Sequence, residues 1–181
     1  MNPIFGHLME TGFGGFYDGI AHLLITPADL LVVMGLSLLA GQQGPAGGRV
    51  LLAVLPIAWL LGGGFGQPFA VADTFDALLI VWFTIVGVMV ALDRRWQLRW
   101  LRLIGLFSGL LFGFGNGASM GPQGPIAQEL LGVVSTVAVI TAIVSAQVAV
   151  NSYRWLSIGC RVGGSWIAAA GLLTLGVHLK G

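Results

Sequence analysis

Apolar residues run along this chain in six long blocks, separated by short polar or glycine-rich punctuation. The first block, Phe16–Ala40, is interrupted. Within it, Thr26-Pro27-Ala28-Asp29 reads as a fresh helix start, with Thr26 able to cap and Pro27 suited to the first turn. Asp29 falls at the capping-box position, where Glu or Gln is commoner. The pattern therefore predicts a short helix ending near Ile25 and a second from Pro27 to Ala40. The remaining blocks are Val50–Phe65, Thr74–Leu92, Leu101–Met120, Ile126–Val150 and Trp155–Leu179. Each comes close to the roughly 20 apolar residues that cross a bilayer. Pro56 is expected to kink the second block. The glycine-rich runs Gly62–Gly66 and Gly113–Gly124 are expected to end the second and fourth on the same side. Residues 1–15 are too polar and glycine-rich to span, and are expected at the outer surface with His7 and Glu10. The expectation is an all-α, polytopic membrane protein. One six-helix domain covers residues 1–181, its first helix broken near Thr26-Pro27.

Composition makes that class firm. Of 181 residues, 56% are hydrophobic and only 8% charged, against about 25% charged in soluble domains; the mean hydropathy is +0.92. A single cysteine, Cys160, excludes an internal disulfide. Gly105, Ser108, Gly109, Gly113 and Gly117 form a stripe of small residues at a spacing near four, which permits close helix packing in lipid. That stripe predicts a central place for the fourth helix. The six tryptophans, Trp59, Trp82, Trp96, Trp100, Trp155 and Trp166, fall mostly near predicted ends, as interfacial anchors do. Gly62-Gly63-Gly64 lacks a following Gly-Lys-Ser/Thr and is no phosphate loop. No nucleic-acid motif is present.

Charge adds an orientation. With six spans, Arg49, Arg94, Arg95, Arg99, Arg102, Arg154 and Arg161 gather on one side, leaving Lys180 on the other. Cytoplasmic loops carry the excess of Lys and Arg, so both termini are expected outside, periplasmic in a bacterial inner membrane. Glu10, Asp18, Asp29, Asp73, Asp76 and Glu129 fall on the outer half, and Asp93 alone inside. A mouth lined with carboxylates concentrates cations. Asp18 and His22, four residues apart, share one helix face. Ionisable groups at a membrane boundary are costly and mark functional positions by default.

Two stretches, FYDGIAHLL on the first helix and LFGFGNGASM on the fourth, together with the six-helix plan, resemble the HupE/UreJ family. These are small bacterial membrane proteins associated with hydrogenase and urease operons and regarded as nickel or cobalt permeases. The family's first-helix motif, a His, five residues, then Asp-His and paired leucines, matches at Gly19, His22, Leu23 and Leu24. Its first His falls at Gly15 and its Asp at Ala21. Its fourth-helix motif matches at Gly113, Gly117, Ala118 and Met120. The two His positions there fall at Phe112 and Asn116, the Glu at Ser119 and the Phe at Leu111.

The resemblance implies a transported metal ion, nickel or cobalt; His22, Asn116, Ser119 and Met120 at motif positions, with Asp18 and Asp29 at the mouth, are the residues expected to hold it. Imidazole and carboxylate suit nickel, whereas the Met120 thioether would favour Cu(I). Partners implied are the lipid bilayer, the metal cation and metalloenzyme-maturation proteins. Two readings stay open: a cation permease, and a non-transporting accessory or structural subunit, to which the substituted His and Asp positions point. An enzyme is not expected. Gly117-Ala118-Ser119 with His178 superficially resembles a rhomboid protease, but the residue after the serine is Met120 and the helix runs the wrong way.

Overall fold

The structure, a computed structural model, describes residues 13–69, 73–120, 126–151 and 153–180. His7 and Glu10 lie outside them. The described residues form seven helices and no strand: α1 (Gly15–Ile25), α2 (Pro27–Gln42), α3 (Pro45–Gly66), α4 (Asp73–Leu92), α5 (Leu98–Met120), α6 (Ile126–Val150) and α7 (Arg154–His178). Five, α3 to α7, are long and apolar enough to cross a membrane. The bent pair α1–α2 makes a sixth if it counts as one broken span.

The break falls where the sequence places it. Thr26 is extended (φ −89°, ψ 100°), as a residue before proline prefers, and α2 leaves at 78° to α1. Thr26 does not cap α2 with its side chain. Its hydroxyl instead donates back to the His22 carbonyl at 2.7 Å, closing α1. Asp29 is therefore no member of a capping box.

The hub of the bundle is α2, which touches each of the other six helices. Its buried residues, among them Val32, Val33, Leu36, Leu39 and Ala40, look in every direction, as expected of a helix enclosed by protein rather than lying on its surface. This corrects the expectation that the stripe-bearing helix, α5, is central. That stripe serves one partner, α3, with which α5 makes the most extensive contact in the molecule.

In the α3–α5 pair both helices end inside the glycine-rich runs, as expected, but only after passing through several of the glycines. α3 stays helical through Gly66 and α5 through Gly113 to Met120. Glycine weakens helices in water, yet here four of them admit a neighbouring backbone. A Cβ on Gly62 or Gly66 would strike the backbone of Leu110 or Phe114. One on Gly113 or Gly117 would strike that of Trp59 or Gly63. Missing side chains thus let two backbones touch, a large source of helix association in lipid. α4 and α7 use the same device at Gly87 and Gly164, while Gly171 makes room for the Thr84 side chain; α1 meets α6 through Gly19 and Gly132.

At the arginine-rich end, Gln42 and Gln43 close α2 onto the turn after α4. Gln42 Nε2 donates to the Val90 carbonyl (3.0 Å), and Gln43 Oε1 accepts from the Trp96 amide (2.7 Å). Ser157 on α7 donates to Asp93 Oδ2 at 3.0 Å. The basic loops are therefore gathered at one end of the bundle.

Candidate functional site

The site is built on the carboxylate of Asp29, in the first turn of α2 immediately after the break. Only 3% of Asp29 is exposed. A carboxylate at that depth is costly unless it is hydrogen-bonded or faces a cation. Its Oδ2 accepts a 2.7 Å hydrogen bond from Asn116 Nδ2 on α5. Asn116 is itself buried, and its Oδ1 accepts from the indole Nε1 of Trp59 on α3 at 3.3 Å.

The order of this relay is fixed by chemistry. An indole N–H can only donate, so Asn116 must turn its oxygen to Trp59 and its amide hydrogens to Asp29. Asp29 is thereby always offered donors, the arrangement that suits an ionised carboxylate. Phe112, one turn before Asn116, packs against Trp59 with ring centroids 5.9 Å apart. The two positions at which the resembled family carries His, 112 and 116, thus both bear on Trp59, and one of them holds Asp29.

The other expected site residues lie around this point. Asp18, half-buried on α1, faces Glu129 of α6, whose backbone carries the close approach of Gly19. These two acids sit side by side where α1 crosses α6. His22 is half-buried on the same helix. Ser119 is exposed, its hydroxyl turned back to the Asn116 carbonyl (2.9 Å). Met120 is half-buried and packs at the edge of the hydrophobic core. Of the six, the structure joins Asp29 to Asn116. Ser119 reaches the pair only through the Asn116 backbone carbonyl, and the side-chain hydrogen bonds between Asp29, Asn116 and Trp59 include neither Ser119 nor His22. Among the described residues, no three of His, Cys, Asp and Glu converge to form a metal cage.

Trp59 is the residue that sequence reasoning missed. Six tryptophans near predicted ends look alike as interfacial anchors, and Trp100, Trp155 and Trp166 are exposed as anchors should be. Trp59 is fully buried and serves the relay. Trp82, half-buried, donates to Ser108 Oγ at 2.8 Å across α4 and α5. Their sequence context carried one signal: Trp59 precedes Gly62-Gly63-Gly64, so its helix turn faces a close neighbour.

Further buried polar groups follow the seam between α2 and α6. Ser37 Oγ approaches Thr141 Oγ1 at 3.4 Å, and Ser145 lies against Gly41 and Gly48. Between Asp29 and Ser37 intervene Val32, Val33 and Leu36, all fully buried.

The family model described as HupE / UreJ protein matches residues 1–174, nearly the whole chain. No curated protein and no solved structure is significantly similar to it. Seven apolar helices, a break at Thr26-Pro27 and a match of that length make this chain a member of the HupE/UreJ family of multi-pass membrane proteins.

Proposed function

We propose that the protein is a permease for a divalent metal cation of the nickel or cobalt kind, seated in the inner membrane with both termini outside. The observation that carries this reading is Asp29: a carboxylate buried beside a helix break and held by one neutral amide. Buried ionisable groups inside a membrane protein are expensive and mark ion pathways. The acidic pair Asp18 and Glu129 at the outer mouth would raise the local cation concentration. Asp29 would replace part of the ion's hydration shell, with His22 as the nearest nitrogen ligand along the chain. Onward passage would follow the α2–α6 seam. About 12 Å of helix separates Asp29 from Ser37, closed here by Val32, Val33 and Leu36, so transport would require α2 and α6 to part there. A ligand-poor site suits fast release, because conduction fails where binding is too tight.

The test is uptake of Ni(II) and Co(II) into proteoliposomes by the wild-type protein and by Asp29→Asn, which keeps shape and removes charge. Uptake should fall at least about tenfold in the variant, since losing a hydrogen bond to a charged group is worth about 1.5–3 kcal/mol. Wild-type uptake that survives Asp29→Asn would remove Asp29 from the pathway. No uptake by wild type would favour the second reading, an accessory subunit, for which Phe112 at a position the family fills with His is the supporting observation.

A further inference from the structure

Two cavities at the arginine-rich end are unused by this mechanism, and they adjoin. The first, about 380 Å³, opens between the end of α2, the turn after α4 and the start of α7. Arg95, Arg154, Asn151 and Asp93 line it. The second, about 460 Å³, is a groove between α3 and α6, floored by Gly48, Leu52, Ala142 and Ala146, with Arg49 at its rim. Ala149 lines both, and the consecutive residues Gly44 and Pro45 line one each.

Their chemistries differ. The first is polar and has an excess of positive charge: two guanidinium groups face one carboxylate, which is already engaged by Ser157. Arg95 is held in place by donating to the Gln42 carbonyl at 3.1 Å. α7, a helix of 25 residues, begins there, and its free amides add to the positive field. The second is an apolar furrow that lies along two membrane-crossing helices and is open to their outer face. One short step joins a charged chamber to an oily trough.

We infer that the joined cavities hold an anionic glycerophospholipid of the inner leaflet. Its phosphate sits between Arg95 and Arg154, and one acyl chain lies in the α3–α6 groove beneath Arg49. Basic pockets between helices on the cytoplasmic side are suited to anionic headgroups. Glycerol hydroxyls of the headgroup supply donors to Asp93, which would repel a bare anion. Small side chains at Ala142, Ala146 and Ala149 leave the width an acyl chain requires. The inference is independent of cation transport and goes beyond it.

Native mass spectrometry of the full-length protein, released from detergent with added phosphatidylglycerol or phosphatidylcholine, tests this. Wild type should retain phosphatidylglycerol in preference to phosphatidylcholine. The double variant Arg95→Gln/Arg154→Gln should lose at least about tenfold of that preference, each basic residue contributing appreciably near an anionic surface. Ala146→Phe keeps the arginines and fills the groove. It should weaken phosphatidylglycerol binding while leaving glycerol phosphate, the headgroup without chains, unaffected. Circular dichroism establishes that both variants are folded. Equal retention of the two lipids by wild type would overturn the inference, as would undiminished phosphatidylglycerol binding in either folded variant.

Discussion

Two helix pairs flank α2, and they are built alike. α3 and α5 meet through Gly62, Gly66, Gly109, Gly113 and Gly117; α4 and α7 meet through Gly87, Gly164 and Gly171. Both bring backbone against backbone. They differ in what passes out of the pair. The polar contacts of α4–α7 end on hydroxyls and backbone carbonyls: Thr84 Oγ1, beside Gly171, donates to Ile80, Arg161 Nε to the Ala91 carbonyl and Trp82 Nε1 to Ser108 of α5. From α3–α5 a hydrogen-bonded relay runs through Trp59 and Asn116 to a buried carboxylate on a third helix. Glycine contact is the way this protein holds itself together in lipid. The buried polar chain added to that contact is the feature on which the proposed function rests, and α4–α7 has no counterpart to it among the described residues.

The largest effect should come from breaking the shared device. Gly113→Leu and Gly87→Leu each drive a side chain into a backbone and should destabilise by about 3 kcal/mol or more. Gly64→Leu, with nothing within 4 Å, should stay within about 0.5 kcal/mol. Thermal unfolding in detergent separates them, and similar losses at all three positions would remove close packing as the cause.

Asn116→Leu comes next. It strands the Asp29 carboxylate and the Trp59 N–H in an apolar setting, costing about 1–3 kcal/mol for each buried group left unmade, and it should abolish cation uptake. Thr84→Val, the corresponding polar deletion in the other pair, should cost under about 1 kcal/mol and leave uptake intact. Uptake lost in both variants would mean the pairs are not functionally distinct.

A finer comparison uses Trp59→Phe. Without the indole donor, Asn116 is free to turn its oxygen toward Asp29. Cation affinity measured by calorimetry should then weaken by about tenfold, the equivalent of about 1.4 kcal/mol, with a stability loss of about 1–3 kcal/mol from the lost bond and the space the indole leaves. Smallest of all, Ser108→Ala removes the acceptor of Trp82 and should cost about 0.6 kcal/mol, the mean for such bonds in membranes, with no change in uptake.

Much of the fold was legible in the pattern of the chain. Blocks of apolar residues gave the spans to within a few positions, and Thr26-Pro27 gave the break, because proline constrains the backbone whatever surrounds it. What the pattern did not show is the role of the glycines inside those helices. Helix propensities measured in water mark glycine as a breaker, and a single chain does not announce that another backbone will fill the gap. The centrality of α2 was hidden for the same reason: an all-apolar helix looks alike whether protein or lipid surrounds it. At the site, Asp29 and Asn116 were both visible as polar residues in apolar helices. Their contact, between residues 87 apart in sequence, depends on how α5 seats on α3, which local pattern does not encode. Trp59, fully buried, could not be told from the exposed Trp100, Trp155 and Trp166 until its neighbours were known.

The interleaving of partners bears on how the protein is made. α3 finds its main partner in α5 rather than α4, α4 in α7, and both α1 and α2 lean on α6. Successive hairpins leaving a ribosome would therefore enter the bilayer with their glycine faces unmatched. α4 must keep Gly87 open to lipid until the last helix arrives. A nascent chain halted before α7 would leave Gly87 without the backbone it meets in the folded bundle.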